Sequence, residues 1–196
     1  MAKPRPVKGI RADGRLTPNA RRIMAVRIEE VYQYDGAVAD PARVTELHDM
    51  RIACKRLRYL LEIFTPAFVA DLEPFIDEVK ELQDVLGDIH DCDVQIPMLI
   101  DHLAWLERQE RDGLDAVLAV GTPRPRTAAT REAAFAQFRR RFDEARRADE
   151  RPGLHTMIGL RRRERDVRYA DFISRWRRLK HEHFRARLEA ALGIAR

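Results

Sequence analysis

Two cysteines in 196 residues, Cys54 and Cys92, are too few and too far apart for a disulfide framework, and they form no Cys-x-x-Cys pair that would suggest zinc. That usage suits a reducing cytoplasm. The chain also lacks a long apolar run: no window approaches eighteen consecutive apolar residues, so no membrane span is expected. Its basic N-terminus runs into Lys8, Arg11 and Arg15 without the apolar core of a secretory signal. Nowhere do apolar and polar residues alternate long enough to build a half-buried strand. No segment pairs a nucleophile with its base, supplies a zinc triad or forms a Walker phosphate loop. A non-enzymatic role is therefore expected, with no catalytic residue, cofactor or metal site assigned.

What is present is charge on an apolar frame. Charged residues make up 35% of the chain and hydrophobic ones 45%, the balance of a soluble globular protein long enough for one well-cored domain. The net charge of +5 favours nucleic acid, polyphosphate or another anionic surface. From Met1 to Arg27 there are eight Lys/Arg against one Asp, whereas acids concentrate between Asp71 and Asp115.

Punctuation divides the chain into helices. Residues 1–16, with Pro4, Pro6, Gly9 and Gly14 among cations, read as a flexible basic arm, and residues 17–196 as one helical domain. Thr17-Pro18 opens a helix to about Tyr34, and Asp40-Pro41 opens a second to about Phe64. A third starts near Asp71 or Glu73-Pro74 and carries Val79, Leu82, Val85, Leu86 and Ile89 at helical spacing. Gly87 marks a close packing point or a weak spot. Pro97 predicts a break or kink between Cys92 and Pro97. A further helix runs through Leu99, Leu103, Trp105 and Leu106 to about Leu118, and Gly121-Thr-Pro123-Arg-Pro125 is a linker. Arg131 to Ala148 is helical with Phe135, Phe138 and Phe142 inward, ended by Pro152-Gly153. A last helix from about Arg163 to Leu192 aligns Tyr169, Phe172, Ile173, Trp176, Leu179 and Phe184. The predicted class is all-α, an antiparallel bundle of about five to seven helices.

The second helix holds the densest charge. His48, Arg51, Lys55 and Arg58 fall on one face, with Met50, Cys54, Leu57, Leu61 and Phe64 opposite. Like charges one turn apart cost a helix roughly 0.2–0.5 kcal/mol per pair, so keeping several together points to an anion. The row from His48 to Arg58 spans about 15 Å at the helical rise, enough to follow several phosphate units of a linear chain. Arginine offers a forked donor set to phosphate oxygens and lysine a point charge. Arg51, Lys55 and Arg58 are the expected centre, with Arg56 beside them. His48 would bind more strongly when protonated, so weaker binding at higher pH is predicted. Arg27 of the first helix and Lys80 of the third lie where they would line the same groove, and Arg168, Arg175 and Arg178 form a further row on the last helix.

Two strings carry a resemblance. Leu47-His-Asp-Met-Arg-Ile-Ala-Cys-Lys-Arg-Leu-Arg-Tyr59 is followed by Leu82-Gln-Asp-Val-Leu-Gly-Asp-Ile-His-Asp-Cys-Asp-Val94, and together they resemble the CHAD, or conserved histidine α-helical domain, family over roughly residues 44–95. The resemblance implies a helical bundle whose basic helices line a channel for inorganic polyphosphate. It also implies phosphate homeostasis, association with triphosphate-tunnel enzymes and localisation in the cytoplasm on polyphosphate granules. Such domains contain two tandem four-helix halves, and this chain has one clear copy of the His-x-x-Arg-x-x-x-Lys-Arg-Leu-Arg string. Residues 129–192 would supply a degenerate second half, or two chains would pair as a homodimer about a twofold axis.

Other readings stand beside this one. A basic helical face is commonly just solvated, and Arg161-Arg162-Arg163 reads as a targeting or nucleic-acid patch or as surface decoration. Asp84, Asp88, Asp91 and Asp93 with His90 suggest either a hard-metal site or ion pairs with nearby cations. RNA or DNA binding is the alternative function, and a metal-dependent phosphoanhydride hydrolase a further one.

Overall fold

The computed structural model describes residues 3–119, 127–145 and 151–194. Among them are six α-helices, two short 3-10 turns and no strand, so the predicted all-α class is the one adopted. The helices are α1 (Leu16–Tyr32), α2 (Val44–Phe64), α3 (Glu73–Ala119), α4 (Ala128–Ala145), α5 (Arg151–His181) and α6 (Phe184–Ala191). They group into two compact units: Met1–Asp93 with Glu164–Arg196, and Val94–Arg163. None of the described helices is long and apolar enough to cross a membrane.

The first unit owes its core to periodicity. Met50, Cys54, Leu57 and Leu61 of α2 are buried at i, i+4, i+7, i+11, and Val79, Leu82, Leu86 and Ile89 of α3 at i, i+3, i+7, i+10. They join Met24, Ile28 and Val31 of α1, Phe172, Trp176 and Leu179 of α5, and Phe184 and Leu188 of α6 in one cluster. Fully burying a side chain of this kind contributes about 1.5–3 kcal/mol. Complete burial pushes the Cys54 thiol up to about 12.

Local hydrogen bonds fix where helices begin. Asp40 Oδ1 accepts from Ala42 N at 2.9 Å, which holds a turn and delays α2 to Val44, past the predicted start at Asp40-Pro41. Asp71 Oδ1 accepts in the same way from Glu73 N at 3.0 Å, and α3 starts there as expected. The predicted break at 92–97 is not one in the helix: α3 continues through Pro97. Pro97 is exposed, so the carbonyl its ring displaces can turn to water, a tolerated geometry for an interior proline. The boundary between the two units, Asp93/Val94, nevertheless falls in that stretch.

The C-terminal part also departs from expectation. Pro152-Gly153 opens α5 instead of closing the helix before it, since proline suits a first turn where its missing N–H is not needed. The single last helix divides at His183, whose φ of 53° is left-handed and stops the ladder between α5 and α6. In this unit the indole of Trp176 and the ammonium of Lys180 both donate to Asp35 Oδ1, at 2.7 and 2.6 Å, and Tyr169 Oη donates to the Val38 carbonyl at 3.0 Å. The α1–α2 connection is thereby tied to α5. Burial pushes the Asp35 carboxyl up, but the bonds from Lys180 and Trp176 outweigh it and hold it below the usual range.

In the second unit Leu103, Leu106 and Ile158 are buried, and Arg151 donates to Glu110 at 2.6 Å. Phe135 does not point inward as predicted. It is 52% exposed, and Phe138 is half-buried. Apolar spacing on one helix buries a ring only where another element packs against it, and Phe135 is left largely open among the described residues. The side chain of Phe142 and the linker at 121–125 lie outside the described residues.

Candidate anion-binding site

Two contacts fix how α2 lies against α3. His48 Nδ1 is 3.1 Å from His90 Nδ1, with ring centroids 4.3 Å apart, and a Cβ on Gly87 would lie 3.5 Å from Arg51 Nε. The helices therefore run antiparallel here, as residue 48 meets 90 and 51 meets 87. Carrying the register along at equal rise brings Lys55 level with Gln83 and Arg58 level with Lys80. The α3 face Lys80, Gln83, Gly87, His90 has the same i, i+3, i+7, i+10 spacing as the α2 face His48, Arg51, Lys55, Arg58.

This row is poor in counter-charge. Arg51 Nε is buried with no hydrogen-bond partner, and among the described residues no carboxylate pairs with Arg51 or Lys55. Arg58 Nε is also buried without a hydrogen bond, its nearest carboxylate oxygen being Glu62 Oε1 at 3.5 Å. Gln83 Oε1 is buried and unsatisfied as well. Each such buried group costs about 1–3 kcal/mol while it lacks a partner. The Arg58 guanidinium lies 4.7 Å over the Tyr59 ring and Lys55 Nζ 5.7 Å from its centroid. Burial holds His48 below the ordinary histidine value, His90 and Arg51 push it the same way, and Asp49 opposes them. The imidazole is accordingly neutral at neutral pH. Such a face can present a line of N–H donors and positive charge to an extended anion.

The other predicted residues are placed differently. Arg56 lies about 100° round α2 from Lys55 and is engaged by a neighbour. Arg27 is buried, but its guanidinium donates to both Glu30 carboxylate oxygens at 2.7 Å and to the Arg5 carbonyl at 2.6 Å. Glu30 in turn accepts from the Arg5 backbone N–H, so the buried pair grips the N-terminal arm instead of facing a groove. Arg168 meets Asp88 at 3.2 Å. Arg175 meets Glu81 at 2.6 Å and Asp171 at 3.0 Å, and Arg178 lies 3.6 Å from Glu81. Glu81 and Asp88 occupy a different side of α3 from Gln83, Gly87 and His90. These α5 cations are thus matched to acids and not brought to the α2 row. Lys80 is exposed on the α3 face that continues the row.

Sequence reasoning missed Gln83, Gly87 and His90 as a wall of the site. Asp88 and Asp93, grouped with His90 on sequence, turn to Arg168 and Arg165, the latter at 2.5 Å. The signal that could have found the wall is the matched spacing of the two faces. An antiparallel pairing of those two patterns brings histidine to histidine and the small residue to the large cation.

Comparison with known proteins adds the decisive observation: residues 2–100, just over half of the chain, match the profile described as the CHAD domain. The chain belongs to the CHAD domain family. The matched span contains α1, α2, the α2–α3 row and the part of α3 in the first unit. No curated protein and no solved structure matches the chain.

Proposed function

We infer that this CHAD protein binds inorganic polyphosphate along the α2–α3 row and that it does so without catalysis. The observation that carries this reading is Arg51, a half-buried arginine whose Nε has no acceptor and which meets no carboxylate among the described residues. An arginine kept in that state is a donor in need of an anion, and a phosphate oxygen supplies the charge-assisted bond. The row continues through Lys55 and Arg58, and a linear polyanion with a charge on every unit can follow it. Membership of the CHAD family supports the same class of ligand.

Calorimetric titration with polyphosphates of defined length tests the reading. Native chain should bind, Arg51→Ala and Lys55→Ala should bind far more weakly, and helicity by circular dichroism should stay unchanged. Equal affinity in all three proteins would overturn the assignment of the site.

One observation favours a second reading, single-stranded nucleic acid. Tyr59 is 43% exposed at the end of the row beside Lys55 and Arg58, where a base could stack next to bound phosphates. Competition separates the two. Long-chain polyphosphate should displace RNA or DNA at far lower phosphate concentration if the first reading holds, and the reverse ranking favours the second.

A further inference from the structure

His48 and His90 face each other Nδ1 to Nδ1 at 3.1 Å. At that separation one Nδ1 carries the hydrogen and the other the lone pair, so the rings are complementary tautomers sharing one proton. Adding a proton to the accepting ring sets two N–H groups against each other and breaks the bond. The pair lies at one end of the basic row, a turn from Arg51 and Gly87. On α2 its charged neighbours are Asp49, itself engaged, and Arg51. Next to His90 on α3, Asp91 is exposed, while Asp88 and Asp93 are matched by Arg168 and Arg165 of α5. With Arg51 beside the pair and the nearby acids largely occupied elsewhere, an arriving anion supplies the counter-charge that a second proton needs.

Resting on the polyphosphate reading, we propose that His90 is a binding residue of the same site, and that binding takes up one proton as the two rings exchange their mutual hydrogen bond for bonds to phosphate oxygens. The proton comes from solvent, and no covalent bond is made or broken. His48 below its ordinary value in the free protein is consistent with this, because a phosphate oxygen would reverse the sign of its surroundings. Affinity should rise as pH falls, by up to about tenfold per pH unit for the uptake of one proton.

The test is calorimetry of the full chain with long-chain inorganic polyphosphate in two buffers of different ionisation heat near neutral pH. Long chains make the titratable terminal phosphates negligible. The expected result is a heat that differs between buffers by the equivalent of up to one proton per site, with the difference lost in both His48→Gln and His90→Gln. Binding whose heat is the same in both buffers overturns the proton linkage and leaves the polyphosphate reading intact. Buffer dependence that survives both substitutions assigns the proton elsewhere and also overturns it. Absence of any polyphosphate binding sinks the reading and this inference together. Should either glutamine variant fail to fold, nitrogen resonances of the native His48 and His90 rings decide. Polyphosphate should convert the pair from one shared Nδ1 proton to two protonated Nδ1 atoms, and rings unchanged on saturation refute the proposal.

Discussion

Helices α2 and α5 are both rich in arginine, yet their cations live in opposite surroundings. On α5, Arg165 faces Asp93, Arg168 faces Asp88, and Arg175 sits between Glu81 and Asp171. On α2, Arg51 and Lys55 meet no carboxylate among the described residues, and Arg58 has only Glu62 at 3.5 Å. The difference lies less in either helix than in α3, which turns Glu81 and Asp88 toward α5 and Gln83, Gly87 and His90 toward α2. One helix neutralises its first neighbour and leaves its second unmatched. Cation density alone is therefore a weak guide to an anion site, and what decides is the composition of the face opposite.

The largest effect should come from a third class of cation, the buried one. Glu30→Ala would leave the Arg27 guanidinium buried without its carboxylate and free the Arg5 backbone N–H. Breaking one side of a buried ion pair costs about 3–5 kcal/mol, so the urea midpoint should fall steeply. If Arg27 were instead a ligand residue, the same change would free it for anion and raise polyphosphate affinity with little loss of stability.

Next in size is the contrast itself. Removing a charge-assisted bond costs about 1.5–3 kcal/mol, so Arg51→Ala should weaken polyphosphate binding by roughly ten- to a hundredfold. Arg175→Ala removes two partly exposed ion pairs and should change both affinity and stability by less than about 1 kcal/mol. Comparable losses of affinity in the two variants would erase the distinction between the helices. The dependence of log affinity on log salt should also become shallower in Lys55→Ala and stay as it is in Arg175→Ala.

Gly87 gives a prediction of opposite sign. The nearest atom to an added Cβ is Arg51 Nε at 3.5 Å, an ordinary contact, and Gly87 has helical neighbours on both sides. Alanine there should stabilise the chain by about 0.5–1 kcal/mol. A leucine would occupy the space of the Arg51 side chain. A thermal midpoint lowered in Gly87→Ala would mean that α2 and α3 approach more closely than the register implies.

Much of this was legible in sequence, and the exceptions share a cause. The apolar faces of α2 and α3 announce themselves because helical spacing is a property of one segment, and the basic row on α2 follows from the same wheel. The fates of Arg27, Arg168, Arg175 and Arg178 were not legible, because each depends on an acid elsewhere on its helix or on another one. The continuity of α3 was misread for a related reason: Pro97 lacks a donor in any context, but only its exposed placement makes that loss tolerable. His90 was seen among aspartates when its partner was a histidine forty-two residues away.

The smallest expected effect concerns the tie between the α1–α2 connection and α5. Asp35 is held below the usual carboxyl range by Lys180 and Trp176, so its contribution is present above the unfolded value and lost as pH falls through the folded one. Stability measured by urea from about pH 5 down to about pH 3 should decline more steeply in the native chain than in Lys180→Ala, in which the carboxyl moves back toward its ordinary range. The change is modest because both side chains are partly solvated, 40% exposed each. Parallel declines in the two proteins would show that Trp176, donating from the buried side at 2.7 Å, holds the carboxylate alone. The charge on this part of α5 would then be ornamental to the fold, as the charge on α2 is proposed not to be to its ligand.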